Sequence, residues 1–178
     1  QEHKTVRLGV PCPFLKIHFI LSEINNCHAT FLVAIFQIMK IHLKSCARIL
    51  PGPAIWSSQL EAQIGLAPGW AEKNTGVACR YWADPTESIT SLAAAAVRLA
   101  LEEAALDCAD LDMLIYAGAS FDHPIPHNSC LIKQALEQEE ADFPCFDVDG
   151  TCLSFLHALD IAHLYLQHRG LRRVAIVS

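Results

Sequence analysis

Cysteine is the residue in this chain with the most chemistry to offer. Eight are present, at 12, 27, 46, 79, 108, 130, 145 and 152. Position separates one from the rest. Cys152 stands in FDVDGTCLSF, residues 146–155, where a short apolar run passes almost directly into a helix-forming segment. A cysteine at or near the first turn of a helix meets free peptide N–H groups and the positive end of the helix dipole. Both favour thiolate over thiol and can bring a cysteine pKa to about 3.5–7.5. The thiolate is the nucleophile, so Cys152 is the candidate for covalent catalysis. For the other seven the ordinary reading is buried packing. No two fall at CxxC spacing, so zinc-ribbon and thioredoxin-type sites have little support and no metal site is expected. The histidines do not change this. His123 and His127 are four apart in a Pro-rich loop, and His157, His163 and His168 are scattered around one helix. All five read as solvated or hydrogen-bonded bystanders, and Arg169, Arg172 and Arg173 as a solvated entry to a strand.

The elements that must position Cys152 follow from periodicity. Residues 41–49 alternate as a half-buried strand and stop at Pro51-Gly52-Pro53. A short helix is predicted over 57–64, and Pro68-Gly69 breaks the chain before Trp70. Thr86 or Ser88 caps a long helix running to about Leu106, whose Ile89, Leu92, Ala96, Leu99 and Ala100 recur at helical spacing. Residues 113–120 form a continuous apolar run, as in a buried parallel strand. A helix over 128–136, a strand over 143–148, a helix from Cys152 to about His168 stopped at Gly170, and a strand over 173–177 complete the series. Alternating strands and helices imply an α/β unit, a mostly parallel sheet with helices packed against it. Ligands collect at the carboxyl ends of such strands, which singles out the 117–127 loop and the Cys152 turn.

Composition agrees. The 178 residues are 52% hydrophobic and 18% charged, enough for a sizeable core, and the net charge of −6 offers no general attraction to nucleic acid or an anionic membrane. The apolar stretch 31–38 is too short to span a bilayer and lacks signal-peptide flanks, so reduced thiols and a cytoplasmic location are expected. The chain opens on Gln1 and its first methionine is Met39. Residues 1–38 are therefore expected to be an extension outside the domain, and 39–178 to be the domain, cut short in its last strand.

With these elements in place, residues 41–178 resemble the N-terminal half of a β-ketoacyl-acyl-carrier-protein synthase III-like enzyme of the thiolase superfamily. In FDVDGTCLSFLHALDIAHLYLQHRGLRRVAIVS, the residues Asp147, Cys152 and Phe155 fall where that family has its Asp, nucleophile and Phe. Upstream, Trp70, Thr75, Gly76, Val77 and Arg80 match a Trp-x4-Thr-Gly-Ile/Val-x2-Arg segment at identical spacing. The resemblance implies half of a thiolase-like fold and a Cys152 that accepts an acyl group from coenzyme A as a thioester. A malonyl group on acyl carrier protein would then lose CO2 and attack it. It implies Trp70 against the adenine of coenzyme A, Arg80 near its phosphates, and no tightly bound cofactor. It also implies a homodimer paired through the 172–178 strand, and a second half that supplies the His and Asn of the site, so the chain alone is expected to be inactive. Ser154, Asn74 and Asp149-Gly150-Thr151 depart from the family pattern and leave the acyl donor and chain length open.

A second reading competes for the same segment. PCFDVDGT is similar to the hhhDxDGT signature of haloacid-dehalogenase-type phosphohydrolases. There Asp147 would attack phosphorus and Asp149 shuttle the leaving-group proton beside Mg2+, with Ser178 holding phosphate. That signature normally opens its domain, whereas here a hundred residues of α/β pattern precede it. A non-catalytic half-domain kept for partner binding is the third reading.

Overall fold

The computed structural model describes residues 18–23 and 41–178, which fall into two compact units. The smaller comprises Leu50–Thr86. In it strands β3 (Ala54–Trp56) and β4 (Cys79–Tyr81) pair antiparallel, with Ala54 opposite Tyr81 and Trp56 opposite Cys79. Between them lie helices α1 (Ser57–Ile64) and α2 (Trp70–Thr75). The sequence predicts α1; β3 and β4 are three residues each, too short to show a period.

The larger unit holds a five-stranded sheet in the order β2-β1-β7-β5-β6. Its strands are β1 (His18–Glu23), β2 (Ile41–Ala47), β5 (Met113–Ala117), β6 (Cys145–Val148) and β7 (Val174–Val177). Three helices accompany them: α3 (Ile89–Glu103), α4 (Asn128–Ala135) and α5 (Ser154–His168). β5 pairs parallel with both β6 and β7. All its residues are buried, because alternate side chains feed two separate cores. Leu114, Tyr116, Ala175 and Val177 pack with Ala93, Val97, Ala100 and Ile132 of α3 and α4. Met113, Ile115, Val174 and Ile176 pack with Ala158, Leu159, Ala162 and Leu166 of α5. Helices thus cover both faces, which is why these strands read as unbroken apolar runs.

Two expectations are corrected. Residues 18–23 are not outside the domain. β1 is laddered antiparallel to β2, His18 to Ala47 through Glu23 to Ile41, and to β7, with Phe19 opposite Ile176 and Leu21 opposite Val174. It satisfies peptide groups that would otherwise stand as two open edges, and it is the one strand running against the other four. The rest of 1–38 lies outside the described residues. The second correction concerns pairing across a twofold axis through 172–178. β7 is flanked by β1 and β5, so neither of its edges is free; the edges of the sheet are β2 and β6.

α3 starts at Ser88. Its hydroxyl accepts the Ser91 N–H at 3.0 Å while the Ser91 hydroxyl accepts the Ser88 N–H at 3.0 Å, a reciprocal cap. Ala93, Ala96, Val97 and Ala100 then form the buried stripe, and their small size lets the helix lie close on the sheet.

Candidate functional site

β5 leads into α4 on one face of the sheet, and β6 leads into α5 on the other. Successive crossovers therefore diverge at the carboxyl ends of β5 and β6, the place where open α/β sheets form a crevice. The two segments singled out in the sequence, 117–127 and 149–153, both lie there.

Cys152 sits in a single 3-10 turn, Thr151–Leu153, that runs directly into α5, and it is exposed. The turn is built from its own polar groups. The Asp149 carboxylate accepts the Thr151 N–H at 3.0 Å, and the Leu153 N–H donates to the Gly150 carbonyl at 3.0 Å. The buried Ser154 hydroxyl accepts the Gly150 N–H at 2.9 Å and donates to the Thr151 carbonyl at 2.8 Å. Thr151, the residue before Cys152, has φ 52°, a left-handed conformation that costs a β-branched residue about 1–3 kcal/mol. The bonds around it hold that sharp reversal and set the cysteine at its outer corner. Ser154, a departure from the family pattern, is thus a structural part of the turn.

Asp147 has a different task. Its side chain is 7% exposed; Oδ2 accepts the Asn128 N–H at 3.0 Å and Oδ1 the Ser129 N–H at 2.8 Å. Both oxygens are spent on the N-terminus of α4, where a carboxylate is well placed against the helix dipole. An attacking carboxylate needs a free oxygen, so this geometry speaks against Asp147 as a phosphoryl nucleophile. Ser178, its supposed partner, follows β7, and β5 lies between β7 and β6.

Sequence reasoning missed the group that secures the neighbouring loop. Asn128 is fully buried; its Nδ2 donates to the Ser120 carbonyl at 3.0 Å and its Oδ1 accepts the Asp122 N–H at 3.1 Å. The Tyr116 hydroxyl donates to the same Ser120 carbonyl at 2.7 Å. Burial pushes the Tyr116 pKa up, against the hydrogen bond with Asn128, with Asp147, Asp122 and Asp149 adding to the rise. Asp122 in turn accepts the Ile89 N–H at 3.0 Å and the Thr90 N–H at 2.8 Å, capping α3. Burial alone would raise its pKa; the bonds from Thr90 and Ile89 and the nearby His123 outweigh it and bring the pKa below the ordinary carboxylate value. The only signal for Asn128 in the sequence was its place at the start of a predicted helix.

Trp70 and Arg80 belong to the Leu50–Thr86 unit. Trp70 opens α2 and is 46% exposed. The helix is held by Glu61, a buried carboxylate that accepts the N–H groups of Gly69 at 2.8 Å and Ala71 at 2.6 Å. Gly76 ends it at φ 70°, the left-handed conformation that explains a glycine after Thr75. Arg80, half-buried on β4, donates from Nη1 to the Ser57 hydroxyl at 3.2 Å. Among the described residues no group of three His, Cys, Asp or Glu side chains could hold a metal ion, and no helix is long and apolar enough to cross a membrane.

Comparison with known proteins agrees with this architecture. No family model matches the chain. It is 33% identical over 121 residues to 3-oxopimeloyl-[acyl-carrier-protein] synthase of Brucella abortus, which covers 68% of this chain and 36% of that protein. It is 34% identical over 129 residues to β-ketoacyl-[acyl-carrier-protein] synthase III of Methylococcus capsulatus, covering 72% and 40%. Among solved structures, 3-oxoacyl-[acyl-carrier-protein] synthase III of Aquifex aeolicus superposes with a TM-score of 0.68 at 28% identity, covering 74% of this chain and 42% of that one. The priming β-ketosynthase of the R1128 polyketide pathway gives 0.69 at 28% identity, covering 75% and 39%. The α/β unit is part of a thiolase-like fold. Over the matched residues the chain is similar to β-ketoacyl-acyl-carrier-protein synthases III, and it spans about two fifths of the length of these relatives.

Proposed function

We propose that this chain is the N-terminal, acyl-accepting half of a synthase III-like condensing enzyme, with Cys152 as the nucleophile. The observation that carries the reading is the exposed thiol at the corner between β6 and α5, in a chain whose relatives are β-ketoacyl synthases. The Cys152 thiolate attacks the thioester carbonyl of an acyl-coenzyme A. The tetrahedral oxyanion collapses, coenzyme A leaves as its thiolate, and the acyl group stays on sulfur. Malonyl-acyl-carrier-protein then loses CO2, and the carbanion displaces Cys152 from the acyl carbon. Exposed Trp70 is suited to stack on adenine, and Arg80 to face the coenzyme A phosphates. A His and an Asn from a second half complete the site, so residues 1–178 alone do not condense efficiently; losing one oxyanion donor already costs about 10²–10³ in rate. The working form is a cytoplasmic homodimer. If its subunits join by strand pairing, β2 or β6 supplies the edge.

The test is acylation. Incubation of the chain, completed by a second half, with a short acyl-coenzyme A leaves one acyl mass on Cys152, removable by hydroxylamine. Cys152→Ala abolishes it, and Asp149→Asn largely spares it. An adduct that persists in Cys152→Ala, or none at all when a second half is supplied, would leave a non-catalytic half-domain as the better account.

A further inference from the structure

Outside the nucleophile turn, two cysteines from different elements meet. Cys130 lies in the first turn of α4 and Cys145 opens β6, and their sulfurs are 3.8 Å apart. Both are free thiols; Cys130 is exposed and Cys145 half-buried. The contact does not depend on the thiols themselves, because α4 is pinned on either side of it, to β6 and to the segment that leads into β6. Asp147 accepts the N–H groups of Asn128 and Ser129 at the start of the helix. One turn further, the Lys133 ammonium donates to the carbonyls of Ala141 and Phe143 and lies 4.6 Å from the centre of the Phe143 ring.

We propose that Cys130 and Cys145 form a disulfide when the protein meets a small oxidised thiol such as glutathione disulfide. The sulfurs must close from 3.8 Å to about 2.05 Å, a shift that rotation of the exposed Cys130 side chain supplies. Exposure decides the order of events. The Cys130 thiolate attacks one sulfur of glutathione disulfide, and one glutathione leaves with the electron pair of the broken bond and takes up a proton. Cys145 then gives up its proton and attacks the Cys130 sulfur, and the second glutathione leaves in the same way. Two thiols are oxidised and one glutathione disulfide is reduced to two glutathione molecules. Cys145 is suited to the second step rather than the first. Burial, followed by the adjoining Cys130, pushes its pKa up to about 11, against the pull of Lys133 and Ser129. It remains a protected thiol until a mixed disulfide is placed beside it.

The experiment uses the full reduced chain incubated with glutathione disulfide, then digested without reductant by a protease that cuts before Asp. The expected product is peptide 122–141 joined to peptide 142–146, with the intact mass lower by two hydrogens. Cys145→Ser is expected to stop at a glutathione adduct on Cys130, and Cys130→Ser to give no link at Cys145. The unmodified chain keeps the test decisive if a variant fails to fold: oxidation in denaturant is expected to scatter links over several cysteines. A stable glutathione adduct on Cys130 with no internal link, a link from either residue to a different cysteine, or equal dominance of the same link in denaturant would overturn the proposal.

Discussion

A carboxylate in a motif can be read for its charge long before its partners are known, and the aspartates here show what that omits. Asp147 and Asp149, two residues apart, have the spacing of a nucleophile and its acid partner, yet Asp147 caps α4 and Asp149 closes the Thr151 turn. The N–H groups that claim Asp147 come from residues 128 and 129, and nothing within the motif announces them. Glu61 is the same case, its oxygens claimed by Gly69 and Ala71. The place of Cys152 at a strand-to-helix turn was legible because its whole setting is local: an apolar strand, small turn residues and a helix in unbroken succession. At this scale Asp122 makes a pH prediction. Its folded pKa lies below the ordinary carboxylate value, so it adds stability that is fully present above the unfolded pKa. That contribution is lost as pH falls from the ordinary range through the lowered folded value. Asp122→Asn is therefore expected to destabilise by about 0.5–1 kcal/mol at neutral pH and to flatten the acid limb of stability, read by urea unfolding across pH. An unchanged acid limb would show that the cap on α3 is energetically idle.

Elements were legible where their signal was dense. β5 and β7 are apolar runs with both faces buried, and α3 shows its stripe at helical spacing. Boundaries moved inward. The strand expected over 113–120 ends at Ala117, because the chain must turn toward Ser120, whose carbonyl is held by Tyr116 and Asn128. α3, expected to reach about Leu106, ends at Glu103, before Ala105 takes a positive φ of 54°. Of its two candidate caps, Ser88 is the one used, while Thr86 instead bonds Asp84. Ser88→Ala is expected to cost about 1 kcal/mol in thermal or urea unfolding, with Thr86→Ala leaving α3 intact. Comparable losses from both would mean that the helix start is shared.

For the molecule as a whole, the α/β class was readable, and so was the order of the larger unit's elements from residue 41 onward; the short β3, α2 and β4 were not, nor was β1. Its evidence lies in partners far along the chain, and HFILSE carries no alternation to mark it. Because β1 is bonded on both sides, Ile20→Pro, which removes an N–H and fixes φ, is expected to lower the unfolding midpoint sharply. Deleting residues 1–23 is expected to give a less stable, more aggregation-prone chain, since β2 and β7 would then present open edges. Equal melting of the full and shortened chains would return 1–38 to the role of an appendage. The same ladder bears on how the protein is made. β1 can zip to β2 early, for both lie within residues 18–47. Its other neighbour is β7, and Phe19 cannot meet Ile176 until residues 20–176 have all been synthesised. At about 5–20 residues per second, that wait is roughly 8 to 30 s. Such distant pairing is also slow to form once the chain is free. During that interval β1 has an unpaired side, so the nascent chain carries its own sticky edge, and a holding chaperone acting before β7 emerges would change the yield of folded protein more than one acting afterwards.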